Sequence, residues 1–458
     1  MSQYRTQNPA TGEILKTFDA LTDAQAAEAI TSADAVYREW RTKSVQERAK
    51  VVRRVAEIFT ERGEELARAI SIEMGKELQE SREEVEFAAS IIDYYGVYGP
   101  GLITDYEIPS TVPGKAYIEH LPLGVLLGVM PWNFPYYQVA RFAAPNLLLG
   151  NTILLKHAEV CAGSALLVQE IFEQAGVPVG GYQNIFATHE QIANIIADPR
   201  VQGVSLTGSE RAGAIIGAQA GKHLKKCVLE LGGIDAMVVL DADSVAEVAK
   251  QAWDFRTYNA GQVCNSNKRI IVMDTIYDEF VAELQRLADG LQPGDPLNLG
   301  DGEFVPLSSR AAAENVDKQV RAAVSEGATL VAGGVLSEGA GAYYSPAVLT
   351  NVSRDSKAYR EEIFGPVATV YKVSSDAEAL EVANDCALGL GGSVFSTDEA
   401  RARKVASQLE CGMAHVNTIA AEAAELPFGG VKRSGFGREM GPLGIGEFAN
   451  KRFFFIAD

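Results

Sequence analysis

The sequence predicts an α/β fold built from open parallel sheets, and two stretches of the chain support this class. Short β-prone runs alternate with helical segments from residue 124 to residue 240, and a second alternation runs from residue 243 to about residue 440. Alternation of this kind is typical of parallel sheets with helices on both faces. Such sheets bind ligands beyond the carboxyl ends of their strands. The length of 458 residues predicts two or three domains.

Composition and charge exclude several functional classes. The net charge of −19 at pH 7 argues against nucleic-acid binding, which needs a basic surface. The five cysteines are scattered and form no Cys-x-x-Cys pair, so we expect a reducing compartment and no metal site. The N-terminus has no apolar signal core, and prolines and asparagines interrupt the nearly uncharged stretch 121–155. We therefore expect a cytoplasmic protein without a membrane span.

Residues before 124 and the C-terminal tail supply elements outside this alternation. Capping-box patterns at Thr22 and Ser44 each begin an amphipathic helix, for which we expect only a packing role. Residues 100–120 have the turn residues and short alternation of a β-hairpin. The tail 451–458 is apolar and β-prone, so we expect it to pair with a sheet of this chain or of another subunit.

Cys264 is the candidate nucleophile. It lies among small and uncharged polar residues, and Glu230 lies upstream in a Glu-Leu-Gly-Gly segment. A thiol and a carboxylate are the minimum for covalent catalysis assisted by a general base. The segment by itself supports catalysis and a packing role equally, and the other four cysteines are expected to be small buried hydrophobes.

Asn133 is a candidate oxyanion donor in the segment Met-Pro-Trp-Asn-Phe-Pro at 130–135, which follows an apolar run. The prolines hold the backbone rigid, and an amide fixed there can stabilise an oxyanion. A purely structural turn is the alternative, and without further context it is the favoured one.

Two polar segments follow predicted strands and suit a nucleotide. Lys156 and Glu159 can bond a ribose, with a pair of solvated charges as the alternative. Gly208 and Ser209 open a predicted helix, whose free N–H groups suit a phosphate. The fingerprint Gly-x-Gly-x-x-Gly is absent from the chain, so a dinucleotide would bind by a variant mode.

These motifs, together with Glu-Glu-Ile-Phe-Gly-Pro at 361–366 and Pro-Phe-Gly-Gly-Val-Lys at 427–432, resemble the NAD(P)-dependent aldehyde dehydrogenase superfamily along nearly the whole chain. The resemblance implies an aldehyde dehydrogenase-like α/β fold with two open parallel-sheet domains and a small β oligomerisation element. The implied boundaries are 1–103 and 123–232 for a Rossmann-like cofactor-binding domain, 233–442 for a catalytic domain, and 104–122 with 443–458 for an oligomerisation hairpin and C-terminal strand. A homodimer or homotetramer is implied as well.

The resemblance also implies a role for each candidate residue. Cys264 attacks the aldehyde as a thiolate, Asn133 holds the oxyanion of the thiohemiacetal, and Glu230 activates the water that hydrolyses the thioester. The implied cofactor site contains Trp132, Lys156, Glu159, Gly208, Ser209, Leu231, Glu362 and Phe364. Because a carboxylate at 159 repels a 2′-phosphate, we expect NAD as the cofactor, with NADP tolerated at lower affinity.

The predicted substrate follows from a narrower resemblance. The chain is similar to bacterial succinate-semialdehyde dehydrogenases of the Sad type, in which an arginine matching Arg141 binds the substrate carboxylate. Arg141 is the only charge in 121–155 and needs a partner, with a structural carboxylate as the alternative. Tyr258 stands where some of these enzymes have a second arginine, and it can donate one hydrogen bond.

The predicted function is therefore NAD(P)-dependent oxidation of succinate semialdehyde to succinate. Two alternatives remain open. One is a broad-specificity dehydrogenase for aliphatic or aromatic aldehydes, and the other is a non-catalytic protein that reuses the fold.

Overall fold

The structure is a computed structural model that describes residues 4–458. It begins with a β-hairpin and four helices. The predicted capping boxes begin the first two helices: the side chains of Thr22 and Ser44 each accept a hydrogen bond from the backbone N–H three residues later. The bounds are β1 (Tyr4–Gln7), β2 (Ile14–Phe18), α1 (Asp23–Trp40), α2 (Val45–Glu61), α3 (Gly63–Met74) and α4 (Leu78–Leu102).

The next part of the chain contributes its first two strands to an antiparallel three-stranded sheet with the C-terminal strand, and then forms the first parallel sheet. Its elements are β3 (Tyr106–Ile108), β4 (Gly114–Pro122), β5 (Val125–Val129), α5 (Tyr137–Leu149), β6 (Thr152–Lys156), α6 (Ala162–Gln174), β7 (Tyr182–Asn184), α7 (His189–Ala197), β8 (Val201–Thr207), α8 (Glu210–Lys222) and β9 (Lys226–Glu230). Five of these strands are parallel in the order β9-β8-β5-β6-β7. β5 and β6 are apolar and buried, as expected where helices cover both faces.

The remaining residues form the second domain and the C-terminus. The elements are β10 (Ala236–Val239), α9 (Val245–Thr257), β11 (Arg269–Met273), α10 (Asp274–Ala288), β12 (Gln292–Pro293), β13 (Glu303–Phe304), α11 (Arg310–Ser325), β14 (Thr329–Ala332), β15 (Ala347–Thr350), α12 (Lys357–Arg360), β16 (Val367–Val373), α13 (Asp376–Asn384), β17 (Leu388–Gly389), β18 (Gly391–Phe395), α14 (Glu399–Ala406), β19 (Met413–Val416), β20 (Val431–Lys432), β21 (Gly435–Phe436), α15 (Gly441–Gly444) and β22 (Ala449–Ala457). The second sheet has the order β14-β15-β16-β11-β10-β18-β19, and every strand except the antiparallel edge strand β14 is parallel to its neighbours.

The predicted fold class is confirmed, with one local difference. The region predicted as a hairpin at 100–120 starts with the last turn of α4, and its strands β3 and β4 begin only after that helix ends. The C-terminal strand β22 pairs with β4 of the same chain along its full length, from Ala449 opposite Pro122 to Ala457 opposite Gly114. The residue boundaries of the three predicted domains stay a prediction.

The stretch 121–155 is buried within the first sheet. It contains β5, α5 and β6, and all thirteen residues of α5 are buried. Within residues 4–458, no helix is both long enough and apolar enough to cross a membrane. In the same residues, no group of three or more His, Cys, Asp or Glu side chains is arranged to hold a metal ion.

Candidate active site

A strained loop between α9 and β11 carries Cys264. Asn259 and Ala260 both have φ of 51°, and Gly261 has φ of 72°. A Cβ atom at Gly261 would lie 2.3 Å from the carbonyl oxygen of Gly365, so only glycine fits there. Left-handed backbone at residues other than glycine is retained only where surrounding contacts enforce it. The loop that presents the thiol is therefore held in one conformation by its neighbours.

Arg256 holds this loop from within the core. Its guanidinium is fully buried and donates to the carbonyl oxygens of Gly261 at 3.1 Å and Ile363 at 2.9 Å, and to the Ser266 hydroxyl at 3.1 Å. Sequence reasoning missed this residue, because its carbonyl partners are contributed by loops distant in sequence.

The amide of Asn133 points at the same loop. Its Nδ2 donates to the backbone carbonyl oxygen of Gln262 at 3.0 Å, and the backbone carbonyl oxygen of Asn133 accepts from Nδ2 of Asn259 at 2.9 Å. A side-chain amide has two N–H donors, and the bond to Gln262 uses one of them. The other is available to an oxygen atom beside Cys264.

Two cavities meet at Cys264, which lines both. A cavity of about 250 Å³ lies at the carboxyl ends of β5, β8 and β9 and is lined by Asn133 as well. A second cavity of about 240 Å³ lies on the other side, between α4, the start of α5 and the end of α9. A nucleophile at such a junction can reach ligands bound in both cavities.

The first cavity brings together most of the predicted cofactor residues. These are Trp132, Gly208, Ser209, Leu231, Glu362 and Phe364. The rings of Trp132 and Phe364 meet edge to face with centroids 5.8 Å apart. A Cβ atom at Gly232 would lie 2.4 Å from Oε2 of Glu362, so the cavity wall has no room for a side chain there. Its α8 N-terminus, carboxylate and aromatic walls fit a dinucleotide.

Lys156 and Glu159 are absent from the lining of this cavity; Lys156 is the last residue of the adjacent strand β6, and Glu159 follows it. They pair with each other, with Lys156 Nζ 2.7 Å from Oε1 of Glu159. Burial raises the pKa of Glu159, but the charge and hydrogen bond of Lys156 outweigh it and leave that pKa below its usual range. The carboxylate is therefore ionised at neutral pH.

Lys268 is a second residue that sequence reasoning missed. Its Nζ lies 3.1 Å from Oε1 of Glu362 and donates to the carbonyl oxygens of Val263 at 2.6 Å and Cys264 at 2.7 Å. One buried ammonium group thus joins a wall of the first cavity to the backbone of the nucleophile.

Of the three groups predicted to converge on one carbonyl, Cys264 and Asn133 line the same cavity, and the convergence stays a prediction. Glu230 is buried at the end of β9, and its carboxylate is absent from the lining of both cavities. Neither of its oxygens has a hydrogen-bond partner among residues 4–458, and Oε1 faces Gly429, where a Cβ atom would lie 2.6 Å away. Burial raises the pKa of Glu230 well above its usual range, against the opposing charge of Arg141.

The expected contact between Arg141 and a substrate carboxylate is corrected by the structure. Arg141 is only 1% exposed, and its Nε lies 2.5 Å from Oε2 of Glu439. The guanidinium also donates to the hydroxyls of Tyr137 at 3.1 Å and Thr207 at 3.0 Å. The partner that this buried charge needs is a structural carboxylate, which was the alternative reading.

Tyr258 does line the second cavity. Its ring stacks on that of Phe134, with centroids 6.3 Å apart at 19°, and Phe87, Tyr137, Phe255 and Phe428 complete an aromatic wall. Burial raises the pKa of Tyr258 far above its usual range, so its hydroxyl stays protonated and can donate.

Comparison with known proteins identifies the family. The model of the aldehyde dehydrogenase family matches residues 1–454. The chain belongs to the aldehyde dehydrogenase family. It is an oxidoreductase that acts on aldehydes with a nicotinamide cofactor.

Two relatives with named activities align with almost the whole chain. A Deinococcus radiodurans protein named succinate-semialdehyde dehydrogenase [NADP(+)] is 52% identical over 98% of this chain and 94% of its own length. The Escherichia coli protein named succinate semialdehyde dehydrogenase [NAD(P)+] Sad is 42% identical over 97% of this chain and 96% of its own.

A solved structure agrees closely in fold. The succinic semialdehyde dehydrogenase of Streptococcus pyogenes in complex with NADP+ superposes with a TM-score of 0.96 and 41% identity, covering 99% of this chain and 100% of that chain.

The electrostatics of this aldehyde dehydrogenase site keep the thiol protonated at rest. Burial raises the pKa of Cys264 to about 12, although Arg141 and Lys268 act to lower it. The thiolate is the nucleophilic form, so the thiol must lose a proton before or as it attacks.

Proposed function

We propose that this aldehyde dehydrogenase oxidises succinate semialdehyde to succinate through a covalent intermediate on Cys264. The observation that carries the proposal is the position of Cys264 at the junction of two cavities, beside the amide of Asn133. The names of the relatives at 52% and 42% identity support the choice of substrate.

In the proposed mechanism the Cys264 thiolate attacks the aldehyde carbon and forms a thiohemiacetal. The free N–H of the Asn133 amide, with the backbone N–H of Cys264, stabilises the oxyanion. A nicotinamide held by the cavity that Trp132, Glu362 and Phe364 line would accept the hydride, and Cys264 would then carry the thioester. Glu230 then takes a proton from the attacking water, which releases succinate and regenerates the thiolate.

Glu230 has to approach the thioester for the last step. Its oxygens have no hydrogen-bond partner among the described residues, so no hydrogen bond has to break when the side chain turns. Burial raises the pKa of Glu230, and a base with a higher pKa takes a proton from water more readily.

Recognition of the substrate carboxylate is assigned to neutral donors. Tyr258 presents a protonated hydroxyl to the second cavity. Asn265, in the same wall, donates from Nδ2 to Oε1 of Glu422 at 2.7 Å, and a substrate carboxylate can take the place of that carboxylate. Arg141 does not line the second cavity, but its guanidinium donates a hydrogen bond to the hydroxyl of Tyr137, which does. Its positive charge therefore lies close to the cavity wall.

A second candidate is the broad-specificity aldehyde dehydrogenase. Among the described residues that line the second cavity there is no lysine or arginine, and half of these residues are aromatic. This observation favours uncharged aldehydes. The ratio of kcat/KM for succinate semialdehyde and for hexanal separates the two candidates.

For the cofactor we propose NADP as the favoured form, which revises the expectation of NAD. The relative from D. radiodurans is named as an enzyme of NADP(+), and the relative from E. coli is named as an enzyme of NAD(P)+. The expectation rested on repulsion by Glu159, but Lys156 pairs with that carboxylate, which compensates part of its charge. Steady-state kinetics with both cofactors, in the wild type and in Glu159→Gln, measure this balance.

A homodimer or homotetramer is proposed through β22. Phe454 and Ile456 point to the same face of this strand and are 42% and 48% exposed, and an apolar strand face of this kind is typical of an interface. Light scattering coupled to size-exclusion chromatography gives the mass in solution, and a monomer would contradict the proposal.

The proposed function is tested by reduced-cofactor absorbance over a panel of aldehydes. Succinate semialdehyde should give the highest kcat/KM, and Cys264→Ala should lower the rate at least about 10³-fold with its circular dichroism unchanged. Equal turnover by Cys264→Ala would contradict the mechanism. Absence of turnover with every aldehyde would revive the reading of a non-catalytic protein.

A further inference from the structure

The first turns of α4 contain two carboxylates that each hold a different active-site loop. Glu80 and Glu84 are one helical turn apart, so they project from the same face of the helix. Glu84 is buried, with 2% exposure, and Oε1 accepts from the backbone N–H groups of Tyr136 at 2.8 Å and Tyr137 at 3.3 Å. These residues end the turn that carries Asn133.

The second oxygen of Glu84 is also bonded. Oε2 lies 2.5 Å from Nζ of Lys76, and that ammonium group lies 3.8 Å from the ring centroid of Phe134. The residues that follow Asn133 are therefore held in two ways. Glu84 binds backbone N–H groups of Tyr136 and Tyr137, and Lys76 contacts the ring of Phe134. Since a buried charge is stable only when paired, Lys76 and Glu84 act as one unit.

Glu80 holds the loop that carries Cys264. Its two oxygens accept from the backbone N–H of Asn259 at 3.1 Å and 3.0 Å, at the first left-handed residue of that loop. The side chain of Asn259 then donates to the carbonyl oxygens of Asn133 at 2.9 Å and Gln262 at 3.3 Å. The helix and the two loops therefore form a closed set of hydrogen bonds.

We propose that Glu80 and Glu84 are positioning residues, which together set the placement of the Asn133 amide relative to Cys264. α4 provides a fixed spacing between the two carboxylates, and each loop is bonded to its own carboxylate. The inference rests on the proposed roles of Asn133 and Cys264 but not on the identity of the aldehyde. It is therefore measured with whichever aldehyde the wild type oxidises fastest.

The test compares matched variants that differ in a hydrogen-bond acceptor. K76M/E84L removes the buried charges and the acceptor, whereas K76M/E84Q removes the charges and keeps an amide oxygen that can accept. Glu80→Met and Glu80→Gln form the corresponding pair for the other loop. Glu86→Gln is the control, since Glu86 is an exposed carboxylate on the same helix.

We expect K76M/E84L and Glu80→Met each to lower kcat by about 10–100-fold, the loss expected from a misplacement of about 1 Å. The glutamine variants should recover most of that loss, and the KM for the cofactor should stay within about twofold of wild type. A loss of the same size in both members of a pair would overturn the proposal, because it would trace the effect to charge or packing.

A double-mutant cycle with Asn133→Ala separates positioning from general destabilisation. If Glu84 acts through Asn133, K76M/E84L should cost little further activity in the Asn133→Ala background. Additive losses would overturn the role of Glu84. If K76M/E84L does not fold, Glu80→Met and Glu80→Gln test the proposal instead. Glu80→Met should change both kcat and the rate at which iodoacetamide alkylates Cys264, and Glu80→Gln should restore most of both. A wild type that is inactive on every aldehyde would instead contradict the proposed function.

Discussion

The two cavities that meet at Cys264 differ in how they are built. The first cavity, in which we propose that the cofactor binds, lies at the ends of three neighbouring strands, and most of its lining residues follow these strands directly. The substrate cavity is an aromatic space between α4, α5 and α9, closed by Glu422 and Phe428 from a distant loop. The first depends on the architecture of a parallel sheet, and the second depends on side chains that several separate elements contribute. Changes in the two walls should therefore have different kinetic signatures.

The largest effect is expected from Glu230→Gln, which changes neither cavity wall. Loss of the general base should slow hydrolysis of the thioester by about 10²–10⁴-fold, while the first turnover still releases reduced cofactor as a burst. In the wild type the carboxylate must be ionised to act, and its pKa is raised. Hydrolysis should therefore weaken as pH falls through that raised pKa, and this dependence should disappear in Glu230→Gln.

Rapid-quench and stopped-flow measurements across pH examine this prediction. A variant that lost the burst together with steady-state turnover would place Glu230 in the acylation step instead. The cofactor KM, measured in parallel, should not change, because Glu230 lines neither cavity.

A smaller loss is expected from Asn133→Ala, which removes the side-chain donor between the two cavities. We expect kcat to fall by about 10²–10³-fold, the usual cost of one oxyanion donor, with the KM for both ligands nearly unchanged. Steady-state kinetics measure the split between kcat and KM. A loss confined to KM would show that Asn133 binds the aldehyde in its ground state rather than stabilising the oxyanion.

Gly232→Ala changes the cofactor side alone. The new Cβ would lie 2.4 Å from Oε2 of Glu362, so that carboxylate must shift. We expect the KM for the cofactor to rise about tenfold, equivalent to the loss of about 1.4 kcal/mol of binding, while the KM for succinate semialdehyde changes little. Gly221→Ala is a matched control, because nothing lies within 4 Å of a Cβ atom built there. Equal effects on both KM values would show that the two cavities are not independent.

The smallest effect is expected from Tyr258→Phe, which alters the substrate side alone. The change removes one neutral hydrogen-bond donor, worth about 1 kcal/mol, and keeps the ring that stacks on Phe134. The kcat/KM for succinate semialdehyde should fall about fivefold, and the value for hexanal should not change. An equal fall for both aldehydes would remove Tyr258 from carboxylate recognition and favour the broad-specificity reading.

Sequence reasoning predicted most of its candidate residues in the first cavity and missed several residues that line the second. Six of the eight predicted cofactor residues line one cavity. They could be predicted because each directly follows a strand or lies in a recognisable motif. Phe87, Phe255 and Glu422 in the substrate cavity were not predicted. Phe87 and Phe255 lie on helices, where an aromatic residue in an amphipathic pattern indicates packing as readily as binding.

The sequence by itself determined the parallel-sheet fold class and the capping boxes of α1 and α2. These features are encoded in short windows, where the spacing of apolar, glycine and proline residues restricts the backbone directly. Only the tertiary structure decided that Arg141 is paired with Glu439 and that Glu80 and Glu84 hold the two catalytic loops. A sequence shows that a buried charge needs a partner, but the path of the chain in three dimensions determines which carboxylate lies within reach.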